Sequence, residues 1–245
     1  VTAASLRNQL DSLGFGEVVC GRRRLYIARP FSGQAEGISR HLTSMGPSDR
    51  AAGNRRSAVA LTVEGMPPLF VRRSRRGGLM RFLLSELYVG FTPRPLQELM
   101  VNADAYQRGL PVVEPVGAMV EALGPCCYRG CFLTRALDGV TLWNLLLAGG
   151  EPEERREALV QTRLAIDQMH DGGLYHADLN FHNLFVRSSD AAVVVLDLDK
   201  ARLYPAPLAQ ALRRRNFRRL GRSALRLIKA GALLTPKEAA LLGLG

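Results

Sequence analysis

The stretch His176-Ala177-Asp178-Leu179-Asn180-Phe181-His182-Asn183 decides the reading of this chain. A β-branched run follows it and ends in paired acids, Val193-Val194-Val195-Leu196-Asp197-Leu198-Asp199. An aspartate, an asparagine five residues on and a second aspartate after a short hairpin form a compact set for phosphoryl transfer. Asp178 is the candidate to orient a hydroxyl and accept its proton. The Asn183 oxygen and the Asp197 carboxylate suit Mg²⁺, a hard cation that shares oxygen ligands with nucleotide phosphates and water. Asp178 is expected to stay off the metal so that it can face the acceptor. A lone Asp-x₄-Asn fits any ordinary loop. The order here is more specific: a His two residues before the Asp, the Asn at its offset, strand-turn-strand, then Leu-Asp-Leu-Asp.

Upstream, residues 151–171 read as a long helix. Pro152, Glu153 and Glu154 suit its N-terminus, Leu159, Ile166 and Met169 line one side, and Gly172-Gly173 stops it. Thr141 is a candidate cap for a short helix over 142–147. Residues 128–134 read as a buried strand and 110–117 as an extended, Pro-punctuated segment. Residues 93–108 read as a helix, with Leu96, Leu99, Met100 and Ala103 at helical spacing and Gly109 as its stop. Runs 57–63 and 69–73, separated by Glu64-Gly65-Met66-Pro67-Pro68, read as a hairpin. Residues 46–54 read as a loop, in which Gly53 either begins a phosphate-covering segment or makes a plain turn. Residues 1–30 carry less signal: Leu6, Leu10 and Leu13 can line a short helix, and Arg22-Arg23-Arg24 reads as a solvated basic face. The expected class is α+β, with a β-rich first half, a connector near residue 135 and a helical second half carrying the loop and hairpin.

With 245 residues, 47% of them hydrophobic, the chain can build one sizeable core or two small lobes and is not disordered. No eighteen-residue apolar run exists, so no transmembrane helix is expected. Residues 1–13 lack the charged start and apolar centre of a signal peptide. Cys20, Cys126, Cys127 and Cys131 lack a second ligand pair at zinc spacing and read as buried strand thiols of a reducing compartment. The formal net charge of +11 predicts an anionic partner: nucleic acid, a membrane surface or a phosphorylated substrate. Residues 212–229 concentrate that charge in Arg213, Arg214, Arg215, Arg218, Arg219, Arg222, Arg226 and Lys229, with no acid. Phe217, Leu220, Ala224, Leu227 and Ile228 recur there at helical spacing, which predicts a basic amphipathic helix with its apolar stripe packed inward. No base-stacking aromatic pattern accompanies the charge, so nucleic acid is not the expected partner.

Three segments resemble the bacterial lipopolysaccharide kinase family, and within it the 3-deoxy-D-manno-octulosonic acid (Kdo) kinases. They are Val71-Arg72-Arg73-Ser74-Arg75-Arg76-Gly77-Gly78-Leu79, similar to an arginine-rich strand and Arg-Gly-Gly turn; Tyr175 through Asn183, with Asp-Leu-Asn where protein kinases carry Asp-Leu-Lys; and Leu196-Asp197-Leu198-Asp199-Lys200, similar to an Asp-Phe-Asp-like turn. The resemblance runs from about Gly53 to the basic C-terminal segment. It implies a two-lobed protein-kinase-like fold: residues 1–40 an N-terminal extension of open role, 41–134 an N-lobe, and 135–245 a C-lobe with basic C-terminal helices.

By the same resemblance Asp178 is the catalytic base and Asn183 and Asp197 bind Mg²⁺. Arg72 stands where protein kinases place the strand lysine that touches ATP phosphates, with Glu98 as its ion-pair partner. Arginine there departs from protein kinases and offers a fork instead of a point charge. His176 is expected to hold the loop by hydrogen bonds, and His182 either does the same or reaches the acceptor sugar. Asn180 either places Asp178 or offsets charge at the γ-phosphate; Asp199 either assists the metal or caps the hairpin. The implied cofactors are ATP and Mg²⁺, and the implied acceptor is a hydroxyl of Kdo on a lipid A precursor. The implied location is peripheral, on the cytoplasmic face of the bacterial inner membrane. The rival readings are an atypical bacterial Ser/Thr protein kinase, an aminoglycoside-type phosphotransferase and a lipid-binding pseudokinase module.

Overall fold

The strands in the first half of the chain carry apolar residues on both faces of their sheet, and helices of the same half cover both. The computed structural model describes residues 3–44, 58–73, 88–89, 93–124 and 127–244. Ser57, the loop expected at 46–54 with its Gly53, the Arg-Gly-Gly turn of 74–79 and Cys126 lie outside the described residues. Two units emerge, Val1–Asp104 with Glu114–Ala136, and Ala105–Val113 with Leu137–Gly245.

The first unit runs α1 (Ala3–Ser12), β1 (Phe15–Cys20), β2 (Arg23–Ala28), α2 (Ala35–Ser44), β3 (Ala58–Leu61), β4 (Leu69–Arg73), β5 (Tyr88–Val89), most of α3 (Arg94–Gln107), β6 (Pro115–Ala122) and β7 (Cys127–Arg135). Among the described residues its sheet is antiparallel in the order β1-β2-β6-β7-β4-β3, with β5 also on β7. The expected hairpin is β3–β4, in register Ala58↔Arg72 to Leu61↔Leu69. Side chains alternate between two cores. Leu25, Ile27, Val71, Met119, Cys131 and Leu133 pack with Ile38 and Leu42 of α2. Tyr26, Ala118, Val120, Tyr128 and Phe132 pack with Leu6 and Leu10 of α1 and Leu96, Leu99 and Ala103 of α3. Gly117 is obligatory in β6, because a Cβ there would lie 2.4 Å from the Tyr26 carbonyl oxygen.

One open question for this region is answered, one expectation holds and one, the burial of the cysteines, changes. Residues 3–44, whose role the sequence left open, supply two helices and the strand β2 that pairs with β6. Arg22 and Arg24 are exposed and Arg23 is half-buried, as the expected basic face requires, and on β2 Arg23 and Arg24 pair with Glu121 at 3.6 Å and Glu17 at 3.0 Å. Of the described cysteines only Cys131 is buried; Cys20 and Cys127 are half-buried. Burial pushes the Cys131 thiol up to about 12, so it is an inert core group.

The second unit runs β8 (Gly139–Thr141), α4 (Leu142–Ala148), α5 (Pro152–Asp171), β9 (Leu174–Tyr175), a 3₁₀ turn (Phe181–Asn183), β10 (Leu184–Arg187), β11 (Val193–Val195), β12 (Arg202–Leu203), α6 (Gln210–Lys229) and α7 (Pro236–Leu241). Thr141 caps α4 by accepting the Asn144 N–H. α5 opens on Pro152 and buries Leu159, Ile166 and Met169, as its spacing predicts. It ends at Gly172. Gly173 then turns with φ +79, where a Cβ would strike the carbonyl oxygens of Tyr204 and Ala206. β10 pairs with β11 and β8, forming the expected hairpin. The stripe of α6 that packs inward is Asn216, Leu220, Ser223, Ala224 and Leu227. Ile228, expected in that stripe, is 46% exposed beside Leu225 at 61%. Its position lies off the inward face, which Leu227 already occupies.

Candidate functional site

The loop between β9 and β10 is held by side chains that bond to its own backbone. His176 is buried. Its Nε2–H donates to the Leu196 carbonyl at 2.9 Å, and its Nδ1 accepts the Asp178 N–H at 3.1 Å. One ring nitrogen donates and the other accepts, so the imidazole is neutral. Burial pushes its pKa below the ordinary value, against the upward pull of the Leu196 carbonyl and of Asp197, Asp178 and Asp199. The hydrogen-bonding role expected of His176 is the one observed.

The Asp178 carbonyl receives two amides at 2.8 Å, from Asn180 Nδ2 and Asn183 Nδ2. Asn180 Oδ1 in turn accepts the His182 N–H at 3.0 Å. These bonds fix the backbone of Asp178 while its side chain faces solvent. The next tie runs to the acidic turn: the Leu196 N–H donates to the Asn183 carbonyl at 2.8 Å. Both backbone groups of Leu196 are therefore bonded to the 176–183 loop. The residue that follows, Asp197, has φ +65. That conformation is uncommon outside glycine, and such residues gather at functional sites.

The structure thus brings Asp178, Asn183 and Asp197 into one bonded assembly of loop and turn. Asn183 is fully buried, and its Oδ1 has no hydrogen-bond partner in the structure. A buried amide oxygen left unpaired costs about 1–3 kcal/mol, a cost that a cation or ordered water would relieve. Asn183 therefore fits the neutral oxygen ligand of a hard cation, and Asp197 fits the charged one. Among the described residues no group of three or more His, Cys, Asp and Glu could cage a metal by itself. A hard cation held by Asn183 and Asp197 would complete its shell with oxygens of water or of a bound phosphate.

Two supports come from α6 and escaped the sequence. Asn216 is fully buried. Its amide donates to the His176 carbonyl at 2.5 Å, and its Oδ1 meets His170 Nε2 at 3.1 Å. Ser223 Oγ accepts the Phe181 N–H at 3.1 Å. Both sit at stripe positions of the helix, Asn216-Leu220-Ser223-Leu227, where apolar residues belong. Polar residues at core positions of a periodic stripe were the available signal.

In the first unit, β4 and α3 bring Arg72 and Glu98 together as an ion pair. Arg72 alternates with Val71, so it leaves the α2 face and points toward α3. Glu98 is 3% exposed, and a carboxylate so buried is tolerable only when paired. The expected pairing is therefore present.

Residues 52–239 match the family described as lipopolysaccharide kinase (Kdo/WaaP). A protein of Xylella fastidiosa (strain M12) named 3-deoxy-D-manno-octulosonic acid kinase is 32% identical over 160 residues, 64% of this chain. That match spans 61% of the relative, less than two thirds of its length. A protein of the same name from Mannheimia succiniciproducens is 31% identical over 164 residues, 65% of this chain and 66% of the relative. Among solved structures, one described as WaaP in complex with acyl carrier protein aligns with TM-score 0.57 over 89% of this chain and 86% of that one. At 17% identity it shows the fold alone: a β-rich sheet with helices, of the protein-kinase-like kind.

Proposed function

Since the chain belongs to the lipopolysaccharide kinase (Kdo/WaaP) family, we propose that it transfers the γ-phosphate of ATP to a hydroxyl of Kdo on a lipid A precursor. The reading is supported by relatives named Kdo kinases. The observation that carries it is the assembly in which Asn183 fixes the Asp178 backbone with one amide atom and leaves its other buried and unpartnered.

In this mechanism Asp178 accepts a hydrogen bond from the acceptor hydroxyl and takes its proton as the oxygen attacks the γ-phosphorus. The new O–P bond forms as the bond to the ADP oxygen breaks. Asn183 and Asp197 would hold Mg²⁺. When bound, the ion neutralises charge on the phosphate oxygens. His176, uncharged and bonded at both nitrogens, takes no proton from substrate and holds Asp178 and the Leu196-Asp197 turn in register. Arg72, aligned by Glu98, offers its guanidinium to the nucleotide phosphates. Positioning supplies most of the catalysis, because phosphoryl transfer asks little covalent work of the protein. The division into a lobe over 41–134 and another over 135–245 belongs to the same reading, with residues 3–44 built into the sheet of the first.

The acceptor is an anionic glycolipid, and the outward face of α6 suits its surroundings. Arg214, Arg215, Arg218, Arg222, Arg226 and Lys229 are exposed there. Each cation close to an anionic leaflet contributes about 1 kcal/mol, so several hold a protein peripherally on the cytoplasmic face of the inner membrane. No helix among the described residues is long and apolar enough to cross a membrane. The test offers labelled ATP and Mg²⁺ with Kdo-lipid A, casein and an aminoglycoside in parallel. Label on the glycolipid alone is expected. Label on casein or the aminoglycoside instead would keep the kinase chemistry and overturn the acceptor.

A further inference from the structure

Trp143 is the only tryptophan in the chain, and it is not a core residue. α4 buries Leu142, Leu145 and Leu146, and Trp143 falls off that face. Its indole instead stacks on His182, with ring centroids 4.3 Å apart and planes 24° from parallel. Both rings are half-buried. His182 lies in the 3₁₀ turn between two fully buried residues, Phe181 and Asn183, so its side chain is the one in that turn that faces outward. Its N–H is bonded to Asn180, and α4 is anchored by the Thr141 cap and by β8 on β10. The two rings are thus set on rigid backbone. On the same surface Val140 and Leu147 are 44% and 43% exposed, and Leu147 lies one helical turn beyond Trp143.

The stack joins α4 to the loop that carries Asp178 and Asn183, and it leaves both rings half-exposed there. His182 is four residues from Asp178, a reach of at most about 14 Å even in extended chain. The stack, through His182, and the exposed Asp178 therefore belong to one short loop, a span that a sugar with its neighbouring residue can bridge. An aromatic face with a polar edge suits a pyranose, whose C–H face lies on a ring while its hydroxyls remain accessible.

We propose that the Trp143–His182 stack is the acceptor subsite, seating the ring of an acidic sugar so that one hydroxyl is presented to Asp178. This rests on the phosphotransfer reading above and names the residues that select its acceptor. Binding energy spent on the ring away from the reacting hydroxyl would orient that hydroxyl.

Because Trp143 is the sole tryptophan, its emission reports on the stack without turnover. Kdo monosaccharide is titrated into the full chain without nucleotide, with glucose in parallel. Kinetics on Kdo-lipid A are then compared for wild type, Trp143→Ala, Trp143→Phe and His182→Ala. A saturable change is expected with Kdo at concentrations well below those at which glucose gives one. Trp143→Ala and His182→Ala should raise KM for the glycolipid at least tenfold and shift KM for ATP far less. Trp143→Phe, which keeps a ring, should restore most of the loss. A wild type that phosphorylates the glycolipid while Trp143→Ala keeps its KM overturns the subsite and leaves the reaction standing. A Kdo-induced change in a protein that transfers nothing to the glycolipid upholds sugar binding at the stack and overturns both the reaction and the stack's role as acceptor subsite. Neither response nor transfer overturns both.

Discussion

Asn216→Ala tests whether α6 holds the catalytic loop in place. The substitution removes the donor to the His176 carbonyl and the acceptor facing His170 Nε2, both inside a fully buried site. Each orphaned buried group costs about 1–3 kcal/mol, so the two together set an upper range of about 2–6 kcal/mol. Water entering the space left by the amide recovers part of this, and a loss of about 3 kcal/mol is expected. The assay is urea unfolding followed by Trp143 emission, which reports on the second unit. The His176 carbonyl lies two residues from Asp178, so activity should fall as well. Misplacing a catalytic group by an ångström costs about 100-fold, and a drop of ten- to a hundredfold in kcat is expected with KM for ATP little altered. Asn216→Asp, which sets an acceptor against the His176 carbonyl, should be worse than alanine. A variant within 0.5 kcal/mol of wild type (roughly the scatter of neutral surface changes) and with full kcat would refute the argument.

Other outcomes follow from the same geometry. Asp197→Asn should lower kcat by about 10³-fold and raise the Mg²⁺ concentration needed for half activity, with Asn183→Ala milder; an unchanged Mg²⁺ requirement would remove both as ligands. Glu98→Gln should loosen Arg72 and raise KM for ATP about tenfold, and Arg72→Lys should not restore the fork; wild-type ATP kinetics in both would leave the pair purely structural. His176 is held neutral, so its folded pKa lies below the ordinary 6.5. The stabilisation it gives is full above that value and declines as pH falls below it toward the depressed folded pKa. The stability gap between wild type and His176→Gln should therefore narrow from pH 7.5 to pH 5.5 in urea titrations, and a constant gap would contradict the buried neutral ring. Arg218→Glu with Arg222→Glu should weaken sedimentation with anionic vesicles and leave neutral vesicles unaffected; salt-insensitive, unchanged binding would make the face a plain solvated one.

The parts of the fold that were legible in the sequence are those whose causes are local. Thr141, Pro152 and Gly172-Gly173 punctuate helices within a few residues of themselves, and each acts as its spacing predicts. The 176–199 segment carries its chemistry in side chains at fixed offsets along one loop and hairpin. The first forty residues were opaque because their partners are distant. β2 is a strand by virtue of β6, about ninety residues later, and Arg23 and Arg24 tolerate it because Glu121 and Glu17 meet them there. Asn216 and Ser223 were hidden for the same reason: the backbone groups they satisfy lie 40 and 42 residues upstream. The charge of α6 drew attention to its outward face, while the informative residues were two polar ones on its inward face. The Arg72–Glu98 pair was reachable only through family resemblance, since nothing local to either residue announces a partner on another element.

The most direct test of the account is transfer of the ATP γ-phosphate to Kdo-lipid A, with Mg²⁺, by wild type and by Asp178→Ala shown to be folded by its unfolding midpoint. The account predicts label on the glycolipid with wild type and a loss of at least about 10³-fold in the variant, the size expected when a positioned base is removed. Wild-type rates in Asp178→Ala would contradict it, because the loop that His176, Asn180, Asn183 and Asn216 hold in place would then be holding the wrong residue.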